Sequence, residues 1–356
     1  YVASAYVQIG EYFFDRNKAY DALQAYAQAA KFKDSPNYGF AVYKLSWCYY
    51  NVGEYDQAIQ GMKTVVRFSQ SMQESGDTSS VMLQDEALKD LVRFFADAGD
   101  MQEAENYFRS LGKVELYNSM LKRLAKMYFE QGKFELSVTT YRKLIAENAD
   151  SPEAPNFQNE IINAYQKMNE KEQTLNEIQK LLKNYGKNSP WAQKNSANPD
   201  AIRKAQNYVE DALRRVAVNY NQEAKKLGSG KQAQNTYLLA EKAYRVYLQE
   251  FPNGKNSYDM RYAFAELIFN LAEKGRFDAE TKERYFTEAY DAYMKTVATD
   301  NKGKYSEFCA EAAIFAADEL IKYDKKKGLV KERKGKTDID PIEMSPWETK
   351  KLESLD

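Results

Sequence analysis

The chain has 356 residues and a composition that favours helices, since aromatic residues make up 14% with 28 tyrosines while there are only 16 glycines and 8 prolines. The 51 basic and 52 acidic residues leave a net charge of −1, so no global field draws the chain onto nucleic acid or an anionic membrane. No stretch reaches the ~18 apolar residues that a membrane span requires, and direct membrane insertion is not expected. Recognition of a partner must therefore depend on local groups of side chains.

Histidine is absent from the sequence. This absence excludes Ser-His-Asp and Cys-His catalysis, histidine-liganded zinc and haem held by histidine. Phosphate-binding loops of the GxGxxG or GxxxxGK[ST] type are also absent, so we expect neither a cofactor nor a metal. Cys48 and Cys309 lie in apolar helical contexts and are expected to be small buried side chains, with a disulfide or a reactive thiol as the alternative.

A spacing pattern over 42–65 predicts two helices joined by a tight turn. The pattern consists of Val42, Leu45, Ser46, Tyr49, Gly53, Ala58, Met62 and Val65. The first four mark one face of a helix, and the last three mark the inner face of the next. Gly53 stands between them, where a positive φ costs a glycine little, and Asp56 suits the first turn of the second helix.

The same spacing returns along the chain. Further copies begin at Tyr6, Leu88 and Leu121, and a weaker one begins at Ile161. The small or apolar residues equivalent to Ser46 are Gly10, Val92, Ala125, Ile162, Ala217 and Ala265. The segments GEYDQAI at 53–59, GDMQEAE at 99–105 and GKFELSV at 132–138 carry the most recognisable part. This pattern resembles the tetratricopeptide repeat, a helix pair of about 34 residues.

The resemblance implies an all-α, right-handed α-solenoid of about seven stacked helix pairs plus a capping helix. We expect an N-terminal block of about five pairs at 1–182, a connection at 183–200, a C-terminal block with longer helices and a cap at 201–324, and a charged tail at 325–356. Within the connection, Ser189-Pro190-Trp191 can begin a short helix, so a folded corner and a flexible linker both stay open.

The tail is charged and poor in apolar residues. Its first part, 325–344, is expected to run extended or disordered. Ser345-Pro346-Trp347-Glu348 has the chemistry of a helix start, because a serine cap is followed by proline in the first turn and by glutamate three residues after the cap. A short final helix is predicted there.

In such an array, the first helix of each pair lines a shared surface, so its side chains that are not used in packing are the functional candidates. These candidates are Tyr43, Trp47, Tyr50 and Asn51 in the second pair, Lys89, Arg93 and Asp97 in the third, and Lys122, Lys126, Phe129 and Glu130 in the fourth. In one hypothesis the aromatic residues stack on a partner segment and the basic residues contact its carboxylates. In the alternative, the aromatic residues complete the packing between repeats and the lysines form solvated faces.

The function predicted first is a non-enzymatic scaffold that binds other proteins or peptide segments, acidic in character and with aromatic or apolar anchors. The segment KLSWCYYNVGEYDQAI resembles repeats of bacterial periplasmic and outer-membrane-associated proteins, which favours an envelope or motility assembly over a cytoplasmic location. The alternative is an enzyme or sensor that holds a glycan or peptide, with Asp97 and Glu130 as the pair of acids.

Overall fold

The computed structural model describes residues 1–76, 80–331 and 342–354. Within these ranges every regular element is a helix. In chain order the helices are α1 (Val2–Phe14), α2 (Ala19–Ala29), α3 (Tyr38–Asn51), α4 (Tyr55–Glu74), α5 (Val81–Ala98), α6 (Met101–Ser110), α7 (Val114–Glu130), α8 (Phe134–Glu147), α9 (Ala154–Lys167), α10 (Lys171–Tyr185), α11 (Pro190–Lys194), α12 (Pro199–Leu227), α13 (Lys231–Glu250), α14 (Ser257–Lys274), α15 (Ala279–Thr299), α16 (Ser306–Lys326) and α17 (Pro346–Glu353). The predicted all-α class is confirmed.

The chain divides into two compact units, Tyr1–Asn169 and Glu170–Asp356. In the first unit, α1 packs on α2, α3 on α4, α5 on α6 and α7 on α8, and α9 packs against α8. In the second unit, α12 packs on α13, α14 on α15, and α16 covers α15. The predicted fifth pair corresponds to α9 and α10, which belong to different units. The predicted connection at 183–200 contains the short helix α11, and its role as a joint between blocks stays a prediction.

The turns inside the pairs adopt the conformation that the spacing predicted. Gly53, Gly99 and Gly132 have φ values of 85°, 79° and 74°. The equivalent positions in the first and fifth copies are Asn17 and Asn169, with φ of 56° and 59°. Glycine has no Cβ to clash in this left-handed region, and asparagine tolerates it better than most residues. The sequence template therefore locates each turn correctly.

The positions equivalent to Ser46 are all buried, as their spacing predicted. Ser46 must itself be small, because it faces Gly61 on α4, where an added Cβ would meet the Ser46 Oγ far inside contact distance. The serine hydroxyl donates to the Val42 carbonyl oxygen at 2.8 Å, so it needs no partner outside its own helix. Close approach of α3 and α4 depends on this pair of small residues.

Tyrosine hydroxyls join helices through carboxylates in both units. Tyrosine suits this position because its ring fills the apolar gap between helices while the hydroxyl reaches a polar partner at the edge. The pairs are Tyr26 with Glu11, Tyr43 with Asp90, Tyr50 with Asp97, Tyr117 with Glu147, Tyr247 with Glu210, Tyr285 with Glu241 and Tyr293 with Glu266. This recurring contact gives the many tyrosines of the sequence a structural role.

Two polar segments of the sequence fall partly on residues outside the described ranges. The segment SQSMQESGDTSS at 69–80 is helical as far as Glu74, and 77–79 lie outside those ranges. Of the extended stretch predicted at 325–344, the first two residues complete α16, and 332–341 lie outside the description. None of the helices in the described ranges has the length and apolar composition that a membrane span requires.

The predicted C-terminal helix is present as α17. Ser345 and Glu348 form a reciprocal capping box at its start. Trp347 is only 9% exposed, and its ring meets Tyr290 edge-on at 5.2 Å between centroids. The Trp347 backbone N–H donates to Asp324 at 3.1 Å, so α17 is held against α15 and α16.

Candidate functional site

The aromatic side chains of α3 contact α5 rather than open solvent. The Tyr43 hydroxyl donates to Asp90 Oδ2 at 2.6 Å, and the Trp47 indole N–H donates to the same oxygen at 3.0 Å. One carboxylate on α5 therefore holds two aromatic residues that lie one turn apart on α3.

A second contact lies one turn further along the same two helices. Tyr50 stacks on Phe94 with 4.5 Å between ring centroids, and Trp47 meets Phe94 edge-on at 5.1 Å. The Tyr50 hydroxyl donates to Asp97, whose other oxygen accepts from Gln131 Nε2 at 2.7 Å. Since Gln131 caps the C-terminus of α7, Asp97 links three consecutive pairs.

Burial and the neighbouring carboxylates keep these hydroxyls protonated. Desolvation, aided by the hydrogen bond to Asp97, raises the pKa of Tyr50 to about 12. Desolvation and then the hydrogen bond to Asp90 raise the pKa of Tyr43 well above its usual value. Both hydroxyls thus stay donors throughout the physiological pH range.

These contacts agree with one of the two alternatives that the sequence left open. Tyr43, Trp47 and Tyr50 are each half-buried against the core of the first unit, as expected if the aromatic residues complete the packing between repeats. Helical spacing alone could not decide this, because it defines the faces of one helix and does not show where the neighbouring pair rests. The Phe129 ring likewise packs edge-on against Phe134 at 5.3 Å. Asn51 is exposed at the end of α3.

The basic residues of α5 remain on the surface. Lys89 and Arg93 are exposed, lie one helical turn apart, and form no ion pair within the described ranges. The Arg93 guanidinium lies 5.8 Å from the Trp47 ring centroid. Because Asp90 fixes Trp47, the indole ring is a fixed surface beside Arg93. The side of Arg93 that faces away from this ring is exposed.

The two candidate lysines of α7, Lys122 and Lys126, have carboxylate partners. Lys122 is paired with Glu153, and its ammonium lies 5.9 Å from the Phe157 ring centroid. Lys126 pairs with Glu130 on the same helix at 3.6 Å. Both pairs are largely exposed to solvent, where an ion pair contributes only about 0.2–1 kcal/mol. A partner's carboxylate could therefore replace either of them at small cost.

A cavity of about 310 Å³ adjoins Lys122. Asn118 and Ser119 line it from α7, and Asn148 lines it from the end of α8. These groups offer amide and hydroxyl hydrogen bonds beside the exposed lysine. We name the exposed sides of α3, α5 and α7 at Asn51, Lys89, Arg93 and Lys126 the first-helix face.

The two acids considered for an enzyme, Asp97 and Glu130, do not form a joint site. Asp97 accepts from Tyr50 and Gln131, whereas Glu130 pairs with Lys126. Each carboxylate therefore serves a different internal contact. Across the described ranges there is also no group of three or more Cys, Asp or Glu side chains that could hold a metal ion.

Asp90 is the residue that sequence reasoning missed. Its spacing places it beside the inner face of α5, and a single acid on a charged helix gives no signal. The signal available was the cluster of three aromatic residues on α3, each of which carries a polar group that needs a partner when it is half-buried.

Comparison with known proteins agrees with the helix pairs. The family profile described as "Tetratricopeptide repeat" matches residues 40–68 and 123–151, which cover most of α3–α4 and of α7–α8. No curated protein sequence matches the chain. The two matched segments are tetratricopeptide repeats, and left-handed turns and buried positions of the same spacing recur elsewhere in the chain. Repeats of this family are generally non-catalytic modules for protein interaction.

Several solved structures are similar to the chain. The C-terminal part of a repeat-containing protein from Cytophaga hutchinsonii is 14% identical over 85% of this chain and 98% of that one, with a TM-score of 0.31. A Podosopora anserina protein of TPR-like repeats is 14% identical over 57% and 94%, with a TM-score of 0.30. The Rap conjugation gene regulator of the plasmid pLS20, in complex with the Phr* peptide, is 12% identical over 90% and 74%, with a TM-score of 0.28. Identities and scores this low carry no information about a ligand of this chain.

Proposed function

We propose that the first unit is a non-enzymatic protein-interaction scaffold whose first-helix face binds an acidic segment of another protein. The observation that carries this proposal is the state of Lys89 and Arg93. Both are exposed on a helix that is firmly packed, and neither has a carboxylate partner within the described ranges. Two unpaired cations one turn apart suit two acidic side chains of an incoming segment.

The internal contacts of α3 and α5 support this role by making the face rigid. Tyr43 and Trp47 are fixed to Asp90, and Phe94 contacts the rings of both Trp47 and Tyr50. A preorganised surface loses less conformational entropy when a partner binds. The aromatic residues therefore contribute to partner binding by positioning Arg93 and through the exposed part of the half-buried Trp47 ring. They are not free stacking surfaces.

The pairs on α7 extend the same face. Lys122 and Lys126 can exchange Glu153 and Glu130 for carboxylates of the partner, because exposed ion pairs are weak. An acidic segment that crosses from α5 to α7 would then meet four basic side chains. A bacterial envelope location for this scaffold belongs to the proposal and rests on the resemblance of residues 44–59.

A charge-reversed variant tests the proposal. The full chain is used as bait, and the partners it recovers are compared with those of the Lys89→Glu/Arg93→Glu variant. Lys33→Glu/Lys113→Glu makes the same change of charge at two exposed positions of the same unit and serves as the control. We expect the control to recover the same partners as the unaltered chain and the first variant to lose them. Equal recovery by both variants, with helix content intact, would contradict the proposal.

A further inference from the structure

A second cavity lies in the second unit and shares no lining residue with the first-helix face. It has a volume of about 430 Å³ and is bounded by α13, α14 and α15. That volume falls within the ~300–1,000 Å³ typical of small-molecule sites. The cavity therefore has room for a ligand of small to moderate size.

One side of this cavity is apolar. Leu248, Phe264 and Ala292 contribute to its lining, and Phe264 is 8% exposed. The Arg245 guanidinium lies 5.2 Å from the Phe264 ring centroid and partly covers it. Such a surface favours an aliphatic or aromatic body over a fully hydrated ion.

Two of the charged groups in the lining neutralise each other. Arg245 donates to Glu288 at 2.7 Å and to Glu241 at 2.7 Å. These hydrogen bonds, with the one to Glu288 the strongest, raise the pKa of Arg245 and keep it charged. Because its guanidinium is already bound to two carboxylates, Arg245 acts as a fixed wall of the cavity rather than as its anion receptor.

The remaining charged groups of the lining are Arg261, Lys295 and Asp291. Arg261 donates one hydrogen bond from Nη2 to the Pro252 carbonyl oxygen at 2.6 Å. Its Nε–H is buried and has no acceptor among the described residues. Lys295 is exposed and likewise forms no ion pair there, while Asp291 lies one turn before it on α15. Neither Arg261 nor Lys295 has a carboxylate partner among the described residues, so both of these cations of the lining can receive an anion.

We propose that this cavity binds a small amphipathic monocarboxylate, a molecule with one carboxylate and an aliphatic or aromatic body. The carboxylate contacts Arg261 and Lys295, and the body lies on Phe264 and Leu248. Arg261 and Lys295 are the two cations of the lining that are not already bound to a carboxylate among the described residues, and together they suit one carboxylate group. Asp291 and the apolar side both act against a dianion such as phosphate.

Calorimetric titration of the full chain with octanoate tests this assignment, with octanamide as the uncharged ligand of the same length. We expect octanoate to bind at one site and octanamide to bind about tenfold more weakly or worse, since a charge-assisted hydrogen bond is lost. Acetate, which lacks the body, should give no measurable binding. Absence of octanoate binding, equal affinity for octanamide, or tighter binding of inorganic phosphate would each overturn the proposal.

Variants of the lining identify the cavity as the site. Lys295→Gln, at an exposed position, should weaken octanoate about tenfold, whereas Lys302→Gln, an exposed lysine of the same unit, should leave the affinity unchanged. Arg261→Lys keeps a positive charge but removes the planar set of guanidinium N–H groups, and it should also weaken octanoate. If Lys295→Gln and Arg261→Lys both bind octanoate as the unaltered chain does, the ligand binds elsewhere and the proposal fails.

Discussion

Trp47 on α3 donates its indole N–H to Asp90 on α5, with 3.0 Å between the nitrogen and the carboxylate oxygen. The same oxygen accepts from the Tyr43 hydroxyl at 2.6 Å. Because Arg93 lies over the Trp47 ring, this contact also determines where an exposed cation of the first-helix face stands. The aromatic residues that the sequence offered as binding candidates thus position Arg93, a residue of the proposed binding face.

Replacement of Asp90 should loosen the contact between the second and third pairs. In Asp90→Ala the Tyr43 hydroxyl and the Trp47 N–H both lose their acceptor, and the local free energy of unfolding should fall by about 1–3 kcal/mol. Hydrogen exchange of the amides of α3 and α5 measures this change. Lys89→Ala, one residue away and exposed, is the control and should change the exchange by less than about 0.5 kcal/mol. Equal protection in both variants would show that the Asp90 contact does not hold the two pairs together.

At position 61, replacement of glycine by alanine should destabilise the chain, although it normally stabilises a helix. A Gly→Ala change inside a helix normally stabilises by about 0.8–1 kcal/mol. At this position the new methyl group would crowd Ser46, so we expect Gly61→Ala to lower the free energy of unfolding by about 1–3 kcal/mol. Urea unfolding followed by circular dichroism measures the change. Ser46→Ala should recover part of the loss in the double variant, whereas a gain in stability from Gly61→Ala alone would contradict the close helix contact.

The pairs of helices and their turns could be predicted from the sequence because both depend on local spacing. Gly53 and Asn17 lie at the predicted turns, and Ser46 is buried as expected. The contact of Trp47 with Asp90 could not be predicted, since it depends on how one pair is rotated against the next. Spacing within a helix contains no information on that rotation. The sequence therefore left open whether the neighbouring aromatic residues pack between repeats or face a partner, while Lys89 and Arg93 are exposed as expected.

Both thiols should be unreactive in the folded chain. Burial raises the pKa of the Cys48 thiol to about 12 and that of Cys309 to about 11. Since the thiolate is the reactive form, labelling by a maleimide at neutral pH should be slow and should accelerate when urea unfolds the chain. Labelling of the folded chain at the rate of the unfolded chain would contradict the burial of both residues.

The raised pKa values also predict loss of stability at alkaline pH. Burial raises the pKa of Tyr244 to about 12, and the Cys48 thiol shifts in the same direction. The folded state holds these protons more tightly than the unfolded chain, so the stability they contribute is complete below about pH 9 and is lost as the pH rises towards about 12. Urea midpoints measured across that interval should fall steadily. A constant midpoint over the same interval would contradict the predicted linkage.

The Trp347 ring is expected to hold α17 against the rest of the second unit. Trp347→Ala removes a buried ring that contacts Tyr290, and we expect proteolysis within 342–354 to accelerate at least about tenfold. Limited proteolysis followed by mass spectrometry measures the rate. Leu352→Ala, at a side chain that is 56% exposed, should leave the rate nearly unchanged. The same rate in Trp347→Ala and in the unaltered chain would mean that other contacts suffice to hold the helix.

Photo-crosslinking from the first-helix face tests the proposed function most directly. A photoreactive amino acid replaces Lys89 in one version of the full chain and Lys33, exposed elsewhere on the same unit, in another. The proposal predicts that the version altered at position 89 crosslinks to an acidic segment of the partner that the bait experiment recovers, while the version altered at position 33 does not. Crosslinks to that partner from position 33 alone would place the interaction on another surface and contradict the assignment of the first-helix face.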